Sequence, residues 1–166
     1  RTLDVARLDD GKWRLEPRPI APAKIAEDSL DRWRRAAPSR EFLLQAGETP
    51  WALADEIAVT TVLDNLLDNA VKYTPPDGRI VVTVRAEPPG YLTIAVEDQG
   101  AGVEPGKAEA LFERFRRGDG DESRRVDGYG LGLYVSRRLV EAMGGQIWAE
   151  PGPEGGSRFA FTLPLM

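Results

Sequence analysis

The sequence predicts an α+β fold: a two-layer sandwich in which about three helices lie on one face of a mixed, mostly antiparallel five-stranded sheet. Residues 55–73 carry a broad apolar stripe at helical spacing, through Ile57, Val62, Leu63, Leu66, Leu67 and Ala70. Ile80, Val82 and Val84, then Leu92, Ile94 and Val96, alternate with their neighbours on either side of Pro88-Pro89-Gly90, the pattern of an antiparallel hairpin. Phe159, Phe161 and Leu163 alternate again in a final strand. Such helices and strands bury their apolar sides only against each other, which gives two layers around one core.

The remaining elements follow in order. Leu3 to Leu8 read as the end of a helix stopped by Asp9-Asp10-Gly11. Lys12 to Ile20 alternates weakly, as an extended strand. Pro22 suits the first turn of a helix in which Ala26, Leu30, Trp33 and Ala37 recur, with Asp28, Asp31, Arg32 and Arg35 on the wet side and Pro38 closing it. Glu41–Ala46 and Trp51–Leu53 are short strands around Gly47. The long helix runs from Asp55 to Tyr73, where Thr74-Pro75-Pro76 ends it. Residues 103–127 differ: they are dense in charges of both signs, hold Gly118 and Gly120, and offer little apolar beyond Leu111, Phe112 and Phe115. They read as a mobile flap with one or two helical turns, in which Phe112 and Phe115 dock on closure. Leu131, Val135, Leu139 and Ala142 mark a last helix, ended by Gly144-Gly145, and Gln146–Glu150 a strand.

Bulk properties exclude several function classes. With 166 residues, 42% hydrophobic and 30% charged, the chain is the size and composition of one globular domain. A net charge of −5 argues against a nucleic-acid partner, whose phosphates need a basic face. There is no cysteine for a disulfide or a thiolate metal site. Histidine is absent too, which removes a Ser-His-Asp triad, a histidine metal cage and any histidine phosphoacceptor from these residues. Because it begins at Arg1 with what reads as the end of a helix, the expectation is a fragment whose preceding part could hold a membrane anchor.

Four segments stand in order and carry the chemistry. Asn65, Asn69 and Lys72 lie four and three residues apart on one polar helix face, with Tyr73 beside it. Paired asparagines are poor helix formers on a plain surface, because their amides compete with the backbone. A carboxamide oxygen is a neutral hard ligand suited to Mg²⁺, and Lys72 is a point charge for phosphate. A solvated helix side remains the alternative. Asp98-Gln-Gly100-Ala-Gly102 follows a strand, where a carboxylate can accept from an exocyclic amine and glycine lets the backbone approach a flat ring. A plain turn is the simpler reading of that segment alone. Gly128-Tyr129-Gly130-Leu131-Gly132-Leu133 opens a helix, whose free N–H groups and dipole favour phosphate. A flexible hinge there is compatible with the same role. Gly155-Gly156-Ser157 enters the last strand. The glycine spacing is not G-x-G-x-x-G, and Gly11-Lys12 and Gly106-Lys107 lack the Ser or Thr of a P-loop.

In this order the segments resemble the N, G1, G2 and G3 boxes of the superfamily that unites gyrase, heat-shock chaperone, histidine kinase and mismatch-repair ATPases. Leu111-Phe-Glu-Arg-Phe115-Arg-Arg117 is similar to the F box of histidine kinases. Leu3 to Gly11 resembles the tail of the helical dimerisation domain that precedes such catalytic domains. The resemblance therefore implies residues 1–11 as that remnant and 12–166 as a catalytic ATP-binding domain with the Bergerat-type fold.

It also implies roles. Asn69 is the Mg²⁺ ligand and Asn65 its neighbour; Lys72 approaches phosphate and Tyr73 packs near the base. Asp98 takes the adenine amino group, with Gly100, Gly102 and Val103 flooring that site. Phe115 and Arg117 come from the flap, Arg117 reaching the terminal phosphate. Gly128, Tyr129, Gly130, Leu131, Gly132 and Leu133 form the phosphate-side hinge, and Ser157 stands where relatives commonly use Thr. Hydrolysing members carry a glutamate general base four residues before the metal-binding asparagine. Here that position is Asn65, which cannot take a proton at neutral pH, so the resemblance favours phosphoryl transfer to a histidine, with Asn65, Lys72 and Arg117 as its catalytic set. The implied partners are ATP, Mg²⁺, a histidine-bearing dimerisation domain of the same protein and a response-regulator receiver domain; a homodimer is expected only of the full-length protein. An anti-sigma-type serine kinase and a non-catalytic nucleotide-binding module are the alternatives.

Overall fold

The structure, a computed structural model, describes residues 14–104, 106–113 and 131–166. Its order is β1 (Arg18–Ile20), α1 (Pro22–Ala36), β2 (Glu41–Ala46), β3 (Ala52–Ala54), α2 (Glu56–Tyr73), β4 (Arg79–Arg85), β5 (Tyr91–Asp98), a 3-10 turn (Glu109–Phe112), α3 (Leu131–Ala142), β6 (Ile147–Pro151) and β7 (Ser157–Pro164). Five strands form one sheet in the order β2-β4-β5-β7-β6. Only the β2–β4 pair is parallel. A parallel neighbour needs a long crossover, and β3 with α2 supplies it.

Register explains the layers. Leu44 sits opposite Val82, Val82 opposite Val96, Val96 opposite Phe159, and Phe159 opposite Ala149, so one row of apolar side chains runs across all five strands. The three helices cover that face: α1 lies against β2 and β4, α2 against β5, and α3 against β6 and β7. Between the layers Leu30, Leu63, Leu67, Ile80, Leu92, Leu133, Leu139 and Phe161 are fully buried. The predicted α+β sandwich is thus the observed one.

Two differences have physical causes. The expected strand over Lys12–Ile20 is only Arg18–Ile20 in the described residues, because its partner β3 is three residues long. Upstream of it the Glu16 N–H turns to the Asp55 carboxylate at 2.8 Å, and Pro17 and Pro19 have no N–H to offer a ladder. These two short strands pair with each other outside the main sheet. The second difference concerns Phe112, expected to dock only on closure of a flap. It is 1% exposed in the core, its ring 6.2 Å from that of Phe159 in an edge-on arrangement. Arg137 on α3 holds the same turn by an ion pair to Glu109 at 2.8 Å. The rest of the expected flap lies outside the described residues.

Candidate functional site

The site is built on the second half of α2. Asp55 caps the helix start, its Oδ1 accepting from the Ala58 N–H at 3.0 Å. The apolar stripe faces the sheet and leaves Asn65, Asn69 and Lys72 on the other flank. Asn69 is nevertheless 4% exposed, and among the described residues its Nδ2 has no hydrogen-bond partner. A buried amide without a partner costs free energy, so this position is suited to a ligand. Half a turn about its last side-chain torsion exchanges Nδ2 and Oδ1, which presents a neutral oxygen there.

Asn65 behaves differently. Its Nδ2 donates to the Gly132 carbonyl and to the Ser136 Oγ, each at 3.1 Å, which ties α2 to the first turns of α3. Both of its N–H donors are thereby used, and Ser136 is fully buried. Lys72 is exposed and pairs with Asp68 one turn back at 2.8 Å. Tyr73 ends the helix, half-buried.

The other wall comes from the ends of β5 and β7. Register sets Asp98 opposite Ser157 on the helix-facing side of the sheet. The Ser157 Oγ donates to Asp98 Oδ2 at 2.8 Å; Oδ1 accepts from the Gly100 N–H at 2.9 Å and the Ser157 N–H at 3.3 Å. Asp98 is 7% exposed, and among the described residues no cation pairs with it. A carboxylate offers about four acceptor positions, so among the described residues one is left untaken. Gly100 lies against the Tyr73 carbonyl so closely that a Cβ has no room, which brings this loop onto the end of α2. Gly102, at φ +94°, takes a conformation that side chains rarely adopt. Val103 follows, half-buried.

The sequence-predicted residues thus fall into groups. Asp98, Gly100 and Ser157 come together around one carboxylate, Gly102 lies against Gly156, and the Tyr73 carbonyl brings the end of α2 onto the same loop, with Asn69 one turn back on that helix. Leu133 is fully buried in the core, so only its backbone is left for a ligand. Gly132 stands beside Asn65, where an added Cβ would lie 3.6 Å from that side chain. Phe115, Arg117, Gly128, Tyr129, Gly130 and the Leu131 side chain lie outside the described residues. Sequence reasoning missed Arg40, which grips the end of α2, and Ser136, which fixes Asn65. Neither has a local signal: one is a lone arginine before a strand, the other a serine at core spacing.

Residues 54–166 match the family model described as histidine kinase-, DNA gyrase B- and HSP90-like ATPase. The adaptive-response sensory kinase SasA of Synechocystis is 34% identical over 166 residues, which cover 98% of this chain and 43% of that protein. The chain therefore spans less than half the length of this relative. The mycobacterial sensor histidine kinase MprB has a similar structure, with a TM-score of 0.77 and 28% identity over 90% of this chain and 98% of that one. Full-length ShkA, solved in complex with AMPPNP, gives 0.82 and 29% over 96% of this chain and 33% of that one. The chain belongs to the histidine kinase-, DNA gyrase B- and HSP90-like ATPase family.

Proposed function

We propose that this chain is the catalytic, ATP-binding domain of a two-component sensor histidine kinase. The observation that carries the reading is the buried Asp98 carboxylate, which among the described residues holds three N–H and O–H donors and keeps an acceptor position open. That position suits the exocyclic amine of adenine, and Gly100 and Gly102 shape the loop beside it, packed against the Tyr73 carbonyl and Gly156. Buried Asn69, whose Nδ2 has no partner among the described residues, fits a hard cation when its amide is turned to present Oδ1. No cluster of three acidic, histidine or cysteine side chains occurs among the described residues, so such an ion would draw its other ligands from phosphate and water. Mg²⁺ bound there supplies charge neutralisation for the phosphates. Lys72 reaches phosphate by leaving Asp68, and an exposed pair of that kind is worth about 1 kcal/mol or less.

The chain has no histidine, so the acceptor belongs to an adjoining helical domain in this reading. The acceptor nitrogen attacks the γ-phosphorus, the bond to the β–γ bridging oxygen breaks, and ADP leaves. Asn65 cannot serve as a base for water, and its amide is already committed to α3. Residues 1–11 are proposed as the end of the helical domain, a receiver domain as the later phosphate acceptor, and the cytoplasm as the location. No described helix is long and apolar enough to cross a membrane.

The test is binding and turnover of the purified chain. Calorimetry should show ATP binding strengthened by Mg²⁺, and phosphate release should stay at background. Sustained hydrolysis, or affinity indifferent to the adenine ring, overturns the reading.

A further inference from the structure

The last turn of α2 ends in carbonyls that no later turn of helix can satisfy, the general condition of a helix C-terminus. Arg40, more than thirty residues earlier and just ahead of β2, takes up the Val71 carbonyl of that turn and the two carbonyls that follow the helix. Its Nη1 donates to the Thr74 carbonyl at 2.7 Å and the Pro75 carbonyl at 2.9 Å, and its Nη2 to the Val71 carbonyl at 2.7 Å. A guanidinium donates in a fixed planar fork, so three carbonyls bound at once fix the orientation of the turn as well as its existence. Its positive charge also stands at the negative end of the helix dipole. Arg40 is itself anchored, its N–H bonded to the Ala37 carbonyl at 3.1 Å and the next residue opening the sheet-edge strand β2.

The clamped turn is the one that meets the candidate site. Asn69, with its unpartnered amide, lies one turn back from Tyr73, and the Tyr73 carbonyl rests on Gly100, whose N–H is bonded to Asp98. A rotation or fraying of this turn moves Asn69 relative to the Asp98–Ser157 pair, which the sheet register fixes independently.

We infer that Arg40 is a positioning residue of the nucleotide site, holding the Asn69 side of the pocket at the correct distance from the Asp98 side. The inference rests on the function proposed above, in which Asn69 faces the metal and Asp98 the base. Arg40 touches neither nucleotide nor metal; it acts through the backbone of residues 71–75.

The test compares two ligands on four proteins: Mg-ATP, which uses both sides, and adenosine, which uses only the Asp98 side. Wild type, Arg40→Ala, Arg40→Lys and Asn69→Ala are titrated by calorimetry well below their melting temperatures. Arg40→Ala should weaken Mg-ATP by about tenfold to a hundredfold, the usual effect of losing a group that orients a metal ligand. Adenosine affinity should change by less than about twofold, a shift under 0.5 kcal/mol. Lys keeps the charge without the fork and should fall between. Amide exchange should quicken in residues 70–75 of Arg40→Ala and stay unchanged in α1, which shows the variant folded. If Asn69→Ala weakens Mg-ATP while Arg40→Ala does not, or if Arg40→Ala weakens both ligands equally, Arg40 is only a stabilising cap and the inference is wrong. If Asn69→Ala itself leaves Mg-ATP unchanged, the assignment of the metal side fails first and takes the inference with it.

Discussion

At Asp98 a single side chain combines burial, three donors and one open acceptor position. Asp98→Asn is nearly isosteric. Its Oδ1 can keep the Gly100 and Ser157 N–H bonds, so the loop should persist. The amide NH₂ then occupies the place of Oδ2, the Ser157 hydroxyl turns from donor to acceptor, and an adenine amine meets a donor. Losing one charge-assisted hydrogen bond in a shielded pocket should cost about 1.5–3 kcal/mol of ATP affinity with little change in melting temperature. Calorimetry beside thermal unfolding checks both halves, and unchanged ATP affinity removes Asp98 from the site. Gly100→Ala acts at the same junction by another route. The new methyl collides with the Tyr73 carbonyl, so it should lower stability and nucleotide affinity together, read by the same two measurements.

Among elements, α2 is held at both ends by side chains distant in sequence or at its cap. Asp55 is 1% exposed and serves two masters, the Ala58 N–H of its own helix and the Glu16 N–H of the chain before β1. Asp55→Ala should therefore cost more than an ordinary cap, about 2–3 kcal/mol in chemical denaturation, since two donors lose their acceptor. A loss below about 0.5 kcal/mol contradicts the double role. The 3-10 turn offers a second case. Phe112→Ala empties a core position against Phe159 and should cost about 3–5 kcal/mol, a value expected of a residue packed at all times rather than one that docks with nucleotide.

The elements themselves were largely legible in the sequence. The strand Glu41–Ala46, the start of α1 at Pro22 and the end of α2 before Pro75 stand where spacing and proline placed them. What pattern could not supply was pairing. The parallel alignment of β2 with β4 and the separate β1–β3 ladder depend on contacts between segments far apart, which no local period encodes. The site divides the same way. Asp98, Asn69 and the glycines carry their chemistry in their type, whereas Arg40 and Ser136 matter through the backbone and amide they reach, and their neighbours in sequence give no sign of it.

At the scale of the whole molecule, one sheet and one helix each carry one group of the candidate site. The ends of β5 and β7 present a buried carboxylate, and the end of α2 presents a buried amide. The chain has neither a histidine to accept phosphate nor a carboxylate at position 65 to activate water. Under the proposed function such a domain binds and orients, and its reaction requires a nucleophile from outside. The most direct measurement is to mix this chain, Mg-ATP labelled at the γ-phosphate and a separately purified helical dimerisation domain of a similar sensor kinase, then follow the label. The account predicts label on the added domain in an acid-labile, alkali-stable linkage to histidine, abolished by Asn69→Ala and absent when either protein is left out. Label on serine, or phosphate released to solvent by this chain alone, would contradict it.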